Sequence, residues 1–508
     1  MPAYDYSSDV FSATSSWGER AGAAHTTACT ILTNTEETRK DLEDKVLIAN
    51  RGEIAVRIMN ACKDLGLDYV VIYTEADKDS EHVCQNITSG REQNAWRVTS
   101  YTEPNDIFSI ADHTGCTAIH PGYGFFSEDF RFARRASTRD RALTFIGPSW
   151  KVIRDLGDKI NTKRVANSLG IPTIPGTDSP IYNEMEAEEI AQHLLDDQVS
   201  QGTTSPSILI KAAAGGGGMG IEEVSEIEQF RRVYRQLQNY AKRQFGDGGV
   251  LIEQCLRDYN HLEVQLLCSR HDERMHFSSR NCTIQSTGRQ KRVEAAPGFH
   301  RSCFDYDFDE ATLLAQIEDY SLKLADHVGY DNVGTWEWII SRSGKPYLLE
   351  VNTRIQVEND ISARISYIGG SQPNLIREQI RLALGDGIGY SQEDISFKGA
   401  AIELRIVAED TRRGFAPWIG TISKFKIPEY EWSAVYTHVP FDRPYTIPSD
   451  YDPNLALALV WGDSVDEAKS RAAKLLKETV IRGKDSSGGK IITNLAYLQE
   501  NLKRLLTF

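Results

Sequence analysis

The sequence has no apolar run that approaches the 18 or so consecutive residues of a membrane span. It also has no excess of positive charge, because 57 basic residues stand against 72 acidic ones and the formal charge is −15. A nucleic-acid-binding surface is therefore not expected to be its main business. Its eight cysteines show no CxxC or zinc-ligand spacing. We therefore expect a soluble, cytoplasmic protein with reduced thiols.

Residues 1–42 lack both the apolar core of a secretory signal and the arginine-rich, acid-poor balance of a transit peptide. We interpret them as an N-terminal extension. From Lys45 the stretch "KVLIANRGEIAVRIMNACKDLGLDYVVIYTEADKDS" reads as strand, glycine turn, helix and strand. This βαβ pattern predicts a doubly wound α/β domain over 43–156.

Two more units are predicted after this domain. The second covers 157–385 and contains a hinged lobe at about 173–257, which has its own strand, glycine loop, helix and strand. The third, 386–508, is a mixed α+β unit with short strands at 421–427 and 434–439 and a helix from Val465 to about Lys477.

Residues 350–358, "EVNTRIQVE", alternate between polar and β-branched side chains. A period of two predicts an extended chain with two different faces. The run "YLLEVN" is apolar enough to be buried, so we expect Glu350 to enter a core. A buried carboxylate needs a proton, a cation or hydrogen-bond donors.

The stretch "GTWEWIISRSGKPYLLEVN" predicts a hairpin with a two-residue turn at Ser343 and Gly344. That turn would place Glu337 directly opposite Glu350, where two carboxylates repel each other. A divalent cation between them would reverse the sign, and Asn352 could add a neutral oxygen. Oxygen ligands that leave room for water and phosphate describe a magnesium site.

The stretch "SILIKAAAGGGGMGIEEV" places Lys211 at the end of an apolar strand, before four consecutive glycines. Each glycine costs stability, so packing does not explain the run. Without Cβ atoms, the amides of Gly215 to Gly218 can point at phosphate oxygens, and the loop can close as a lid. No GK[ST] follows, so this is not a Walker loop. Lys159, in "GDKINTK", would supply a second point charge.

These stretches resemble the biotin carboxylase component of biotin-dependent carboxylases, of the acetyl-CoA or propionyl-CoA carboxylase type, within the ATP-grasp superfamily. Ten motifs occur in the family's order: "VLIANRGEIAVRI", "AIHPGYGFFSE", "FIGPS", "GDK", "IKAAAGGGGMG", "HLEVQ", "QKRVEAAPG", "EVNTRIQVE", "ELRIVAED" and "YDPN". The resemblance implies an α/β protein with an ATP-grasp fold. Its parts would be an N-terminal doubly wound (Rossmann-like) domain, a glycine-rich lid lobe and a C-terminal mixed α+β domain.

By the same resemblance, the chain would use ATP and bicarbonate to carboxylate biotin on a carrier protein, via carboxyphosphate. The residues implied in ATP binding are Lys159, Lys211, Gly217, Gly218, Glu253, Leu256, His261, Gln285, Glu337 and Glu350. The implied metal ligands, for two Mg²⁺ or Mn²⁺ ions, are Glu337, Glu350 and Asn352. The implied bicarbonate site is Lys291, Arg354, Gln356 and the Val357 backbone. Glu358 matches the base that deprotonates bicarbonate, and Arg405 matches the residue that stabilises the biotin enolate.

At about 3.3 Å per residue, Glu350 and Glu358 would lie roughly 26 Å apart in a straight strand, too far for one small-molecule site. We therefore expect the chain to leave strand geometry between a metal end, Glu350 and Asn352, and a bicarbonate end, Arg354, Gln356 and Glu358.

The sequence departs from the family pattern at several positions. The common "VEHPVTE" reads "VENDISA", which places Asn359 and Ala363 at the histidine and the acid, while Met219 and Leu457 replace usual basic residues. None of these positions carries a chemical step. They leave open two alternatives: a different ATP-grasp ligase, or a non-catalytic nucleotide-binding subunit.

The sequence shows no "AMKM"-like biotin attachment site before Phe508. We therefore expect biotin to arrive on a separate carrier protein or domain. The expected partners are that carrier, one or more carboxyltransferase subunits and a second copy of the chain or a larger assembly, with neither nucleic acid nor a membrane.

Overall fold

A computed structural model describes residues 44–213, 220–257, 259–285, 290–298 and 308–505. Within these ranges, no helix combines the length and the apolar character that crossing a bilayer requires. The six cysteines that lie in them are free thiols.

The N-terminal part is a five-stranded parallel sheet in the order β3-β2-β1-β4-β5. Its strands are β1 (Lys45–Ile48), β2 (Asp68–Tyr73), β3 (Ala95–Arg97), β4 (Ala118–His120) and β5 (Thr144–Phe145). Its helices are α1 (Gly52–Asp64), α2 (Glu81–Thr88), α3 (Pro104–Thr114), α4 (Phe130–Thr138) and α5 (Trp150–Gly157). Ile54, Ile58 and Ala61 form the buried face of α1, as the sequence pattern predicts. The doubly wound architecture is confirmed.

A small lobe follows, which contains a three-stranded antiparallel sheet with two helices. Its elements come after α6 (Lys159–Ser168) and are α7 (Glu184–Ser200), β6 (Ile208–Ala212), β7 (Ile221–Val224), α8 (Ile227–Phe245) and β8 (Val250–Gln254). Ile208 and Ile210 of β6 pack with Phe230 and Tyr234 of α8. The strand that carries Lys211 is therefore anchored on its apolar side.

The next segment builds long antiparallel strands against one helix. Its strands are β9 (Asn260–Cys268), β10 (Arg274–Gln285), β11 (Lys291–Ala296), β12 (Asn332–Ile340), β13 (Pro346–Asn352), β14 (Ser366–Ile368) and β15 (Ile395–Phe397). Its helices are α9 (Glu310–His327), α10 (Asn359–Ile365) and α11 (Leu375–Leu384). Leu324 of α9 packs with Trp336 and Trp338 of β12.

The C-terminal segment is rich in strands. They are β16 (Ala400–Val407), β17 (Glu409–Asp410), β18 (Ala416–Pro417), β19 (Thr421–Lys426), β20 (Ser433–Thr437), β21 (Tyr445–Thr446), β22 (Asn454–Gly462) and β23 (Val480–Lys484). The helices are α12 (Val465–Glu478) and α13 (Leu495–Asn501). The strands expected at 421–427 and 434–439 and the helix expected from Val465 are present.

One eight-stranded sheet joins the last two segments, in the order β13-β12-β9-β10-β11-β16-β22-β20. Ala296 of β11 lies opposite Ala401 of β16, so the sheet continues past the division expected near residue 385. Side chains from both segments can therefore meet on one face of the sheet.

Candidate active site

A cavity of about 1040 Å³ lies beside the large sheet, under the lobe. It brings together thirteen of the residues singled out from the sequence: Lys159, Lys211, His261, Gln285, Lys291, Glu337, Glu350, Asn352, Arg354, Gln356, Val357, Glu358 and Arg405. Gly217 and Gly218 fall outside the described residues, as does Met219. Glu253 and Leu256, at and just after the end of β8, are not part of the lining.

The hairpin β12–β13 places Glu337 opposite Glu350, as expected, but the expected turn is wrong. Three residues, 342–344, connect Ser341 to Lys345, and Gly344 has φ +78°. This turn shifts the register by one, so that Trp338 faces Leu348. Leu349 is then an extra residue in β13, and this bulge restores the pairing of the two glutamates.

Four donors surround the buried carboxylate of Glu337. His261 Nε2 lies 2.8 Å from one oxygen. Asn352 Nδ2, Gln356 Nε2 and Lys291 Nζ lie 2.7, 3.0 and 3.3 Å from the other. Although burial alone would raise it, Lys291 and His261 hold the pKa of Glu337 well below its usual value. Glu337 is therefore a permanent negative charge.

Glu350 does not enter the core as expected, because its side chain keeps 27% of its exposure and forms an ion pair with Lys159. The bulge before it turns the side chain toward the cavity rather than into the sheet packing. Both carboxylates thus face one space with the Asn352 amide, and such a set of hard oxygens fits Mg²⁺ or Mn²⁺.

The polar row bends after its third residue, because β13 ends at Asn352. Glu128 holds the bend from the N-terminal sheet: its oxygens accept from the Thr353 amide at 3.2 Å and from Arg354 Nε at 3.0 Å. A second nitrogen of Arg354 donates to Asn352 Oδ1 at 2.9 Å. The expected departure from strand geometry is therefore present, and residues 353–358 connect the sheet to α10.

Glu358 lies at the end of this bend, 2% exposed, between two cations. Lys291 Nζ donates to one oxygen at 2.8 Å and Arg405 Nη2 to the other at 2.9 Å. Burial alone would raise its pKa, but Lys291, Arg405 and Arg280 hold the pKa of Glu358 well below its usual value. The group is a carboxylate with two cations within reach of any anion beside it.

Further buried charges support this cluster, and sequence reasoning assigned them no role. They are Glu263 and Arg280 on neighbouring strands, Glu294 beside Lys291 on β11, and Glu403 beside Arg405 on β16. Arg280 donates to Glu263 at 3.0 and 3.1 Å and to Gln356, which fixes that amide. The signal was available, since Glu263 and Glu294 stand in the apolar runs "HLEVQL" and "RVEAA".

The lobe side of the cavity holds lysines and amides. Glu253 accepts from Lys211 and from Lys163 at 3.3 Å, and these two cations lower its pKa against the effect of burial. On the sheet side, Gln285 donates to His261 Nδ1 at 2.9 Å, so that His261 Nε2–H points at Glu337. The lysines provide positive charge where the glycine run leaves and re-enters the described chain.

Three family models cover most of the chain. "Biotin carboxylase, N-terminal domain" matches residues 43–153, "Carbamoyl-phosphate synthase L chain, ATP binding domain" matches 158–390, and "Biotin carboxylase C-terminal domain" matches 403–504.

Curated relatives and solved structures agree. The 2-oxoglutarate carboxylase small subunit of Hydrogenobacter thermophilus is 35% identical over 471 residues, which are 90% of this chain and 93% of that one. One pyruvate carboxylase subunit of Methanothermobacter thermautotrophicus is 35% identical over 442 residues and covers 86% and 84%. The crystal structure of the biotin carboxylase domain dimer of Hydrogenobacter thermophilus 2-oxoglutarate carboxylase, with MgADP, ADP and bicarbonate, superposes with a TM-score of 0.77 at 35% identity, covering 91% and 94%.

Proposed function

This chain belongs to the biotin carboxylase family, and we propose that its cavity activates bicarbonate with ATP and passes the carboxyl group to biotin through the residues named below. It is an ATP-dependent ligase with an ATP-grasp fold, and its reaction is the carboxylation of biotin that a carrier protein presents. Carboxyphosphate is the intermediate of that reaction.

The observation that carries the assignment of roles is the placement of Glu358 between Lys291 and Arg405, beside Arg354 and Gln356. Bicarbonate is an anion and a weak nucleophile, so it needs cations to collect it and a base to activate it. Lys291, Arg354, Gln356 and the Val357 backbone would hold it. Glu358 would take its proton while a bicarbonate oxygen attacks the γ-phosphorus and ADP leaves.

The cations that now surround Glu358 suppress its basicity. A bound bicarbonate would share Lys291, and each ion pair that Glu358 loses raises its affinity for a proton. Substrate binding would thus turn a stable carboxylate into a working base. Arg405, freed from Glu358 when that group is protonated, would face the ureido oxygen of biotin as negative charge develops there.

Glu337, Glu350 and Asn352 would hold Mg²⁺ or Mn²⁺, in the two-ion arrangement expected from the sequence. When bound, the metal shields the charge of the β- and γ-phosphates. Lys159, Lys211, His261 and Gln285 would contact the nucleotide, as would Glu253, Leu256 and the amides of Gly217 and Gly218. Asn352 currently donates to Glu337, so its amide would rotate to offer its oxygen instead.

The partners follow from the reaction. The chain would work with a biotin carboxyl carrier and a carboxyltransferase, as a homodimer or part of a larger assembly, in the cytoplasm. The names of the two relatives quoted above include 2-oxoglutarate and pyruvate carboxylases, whereas the sequence resemblance favours acyl-CoA carboxylases. The carboxyltransferase, which chooses the acceptor, would distinguish these cases.

The test is ADP release by the purified chain with MgATP. We expect release that needs bicarbonate and that free biotin stimulates. Release driven by another carboxylate or amine, without stimulation by biotin, would point to a different ATP-grasp ligase. Nucleotide binding without turnover, unchanged in Glu358→Ala, would point to a non-catalytic subunit.

A further inference from the structure

Glu294 and Glu403 form a carboxyl pair behind Arg405. They lie directly opposite each other on β11 and β16, and neither has any exposed surface. None of their four oxygens receives a hydrogen bond of good geometry from the described residues. Two buried carboxylates facing each other repel strongly unless a proton or a cation lies near them.

Arg405 is the one cation in ion-pair contact with this pair among the described residues. Its Nη2 lies 2.6 Å from Glu294, and its Nε lies 3.8 Å from Glu403. The same Nη2 donates to Glu358 at 2.9 Å. Arg405 therefore stands between the base on the cavity side and the carboxyl pair on the other side.

Charge counting shows that the pair cannot be doubly ionised at low cost. The inner cluster holds four carboxyl groups, Glu263, Glu294, Glu358 and Glu403, against three cations, Arg280, Lys291 and Arg405. Arg280 and Lys291 already donate to Glu263, while Lys291 and Arg405 donate to Glu358. The one proton that balances the count therefore belongs on the pair.

The pKa values agree with this geometry. Burial raises the pKa of Glu294 to about 7 although Arg405 lowers it, and burial together with Glu294 raises the pKa of Glu403 well above its usual value. The charged or titratable groups that face the pair are Arg405, Glu358, Lys291, Glu263, Arg57 and Cys282.

We propose that Glu294 and Glu403 are positioning residues that keep one proton between them, and that their single remaining negative charge holds Arg405 in place throughout the reaction. The inference rests on the proposed function. When Glu358 takes the proton of bicarbonate, Arg405 loses its partner on the cavity side. The carboxyl pair then keeps the guanidinium anchored, with Nη2 free for the ureido oxygen of biotin.

A shared charge predicts a non-additive pair of substitutions. Glu294→Gln and Glu403→Gln each leave one carboxyl group, which can carry the charge alone because it no longer meets a second one. Each single variant should keep kcat/KM for biotin within about threefold of the wild type, while the double variant should lose about thirtyfold or more. Glu318→Gln, the same change at another inward-facing carboxyl group, is the matched control.

Two further readouts separate positioning from structural support. Bicarbonate-dependent ATP cleavage without biotin should stay within about threefold in all variants, because Arg405 acts on biotin. The wild-type KM for biotin should rise as the pH falls from 8 to 6, because a second proton then neutralises the pair. Should the double variant fail to fold, this pH series decides.

The proposal is overturned if either single variant loses as much as the double variant, if both activities fall in parallel, or if the wild-type KM for biotin stays flat between pH 8 and 6. A wild-type chain without bicarbonate-dependent ATP cleavage contradicts the proposed function itself. The two failures are therefore distinguishable.

Discussion

Glu358 depends on its neighbours for its behaviour as a base, since the same lysine that suppresses its proton affinity also collects the substrate. Glu358→Gln keeps the shape of the side chain and removes the base. We expect bicarbonate-dependent ATP cleavage to fall by about 10² to 10⁴-fold, the usual contribution of a positioned base. Steady-state ADP release measures this, with nucleotide affinity as the control for an intact site. Activity within about threefold of the wild type would exclude Glu358 as the base.

Glu318, on α9, tests burial without catalysis. Burial raises the pKa of Glu318 to about 7, whereas in the unfolded chain it ionises near its usual value of about 4.5. Its folded state is favoured while the group is protonated, and that contribution is lost as the pH rises from about 4.5 through 7.

Glu318→Gln cannot ionise, so the stability of the variant relative to the wild type should increase with pH. We expect a gain of roughly 3 kcal/mol between pH 5 and pH 8, from 1.36 kcal/mol per pKa unit. Urea unfolding of both proteins at the two pH values measures it. A difference between the proteins that does not change with pH would contradict the assignment.

At the scale of elements, the hairpin β12–β13 shows how a correct pairing can follow from a wrong turn. The sequence predicted Glu337 opposite Glu350 from a two-residue turn, but the chain uses three turn residues and a bulge at Leu349. The two errors cancel in the register. A bulge leaves almost no mark in a polar and apolar pattern, because its neighbours still alternate.

Gly344 in this turn has φ +78°, and an added Cβ would lie 2.8 Å from the Phe308 ring. Gly344→Ala should therefore cost more than the roughly 1 kcal/mol of left-handed strain alone. Gly329→Ala is the matched control, because Gly329 has φ +60° and no atom within 4 Å of an added Cβ. Denaturant unfolding compares them, and equal losses of stability would show that the contact with Phe308 has no effect.

The bend after β13 could be foreseen only as a need. Distance required that the row "EVNTRIQVE" fold back, but the partner that holds it, Glu128, comes from a loop of the N-terminal sheet more than 200 residues away. Asn359, where the family pattern breaks, donates to the Gln356 carbonyl at 2.8 Å and steadies the same bend. A single sequence cannot assign such partners, because they depend on how the sheets pack.

At the scale of the whole molecule, local patterns were sufficient for the N-terminal sheet, the lobe and most strands. They could not show that β16, β22 and β20 extend the sheet of β9–β13, since strand order depends on pairs such as Glu294 and Glu403 that are far apart in the chain. The carboxyl pair behind Arg405 was missed for that reason. Each glutamate by itself looked like one polar residue in an apolar strand.

Ligand binding couples the lobe and the sheet, and this gives a prediction for the whole chain. MgADP should raise the melting temperature, and excess EDTA should remove most of the effect, because ADP alone leaves Glu337 and Glu350 without a metal. At 100 times the dissociation constant the gain is about 2.7 kcal/mol. Thermal unfolding with MgADP, and with ADP plus EDTA, measures it. Equal shifts under both conditions would contradict a metal site at these carboxylates.

The central claim is that this cavity carboxylates biotin, and the most direct measurement is the transfer of label from radioactive bicarbonate to biotin by the purified chain. The account predicts acid-labile label on biotin that requires MgATP and disappears in Glu358→Gln. ATP hydrolysis by the wild type without any label on free biotin or on a biotinylated carrier would contradict it.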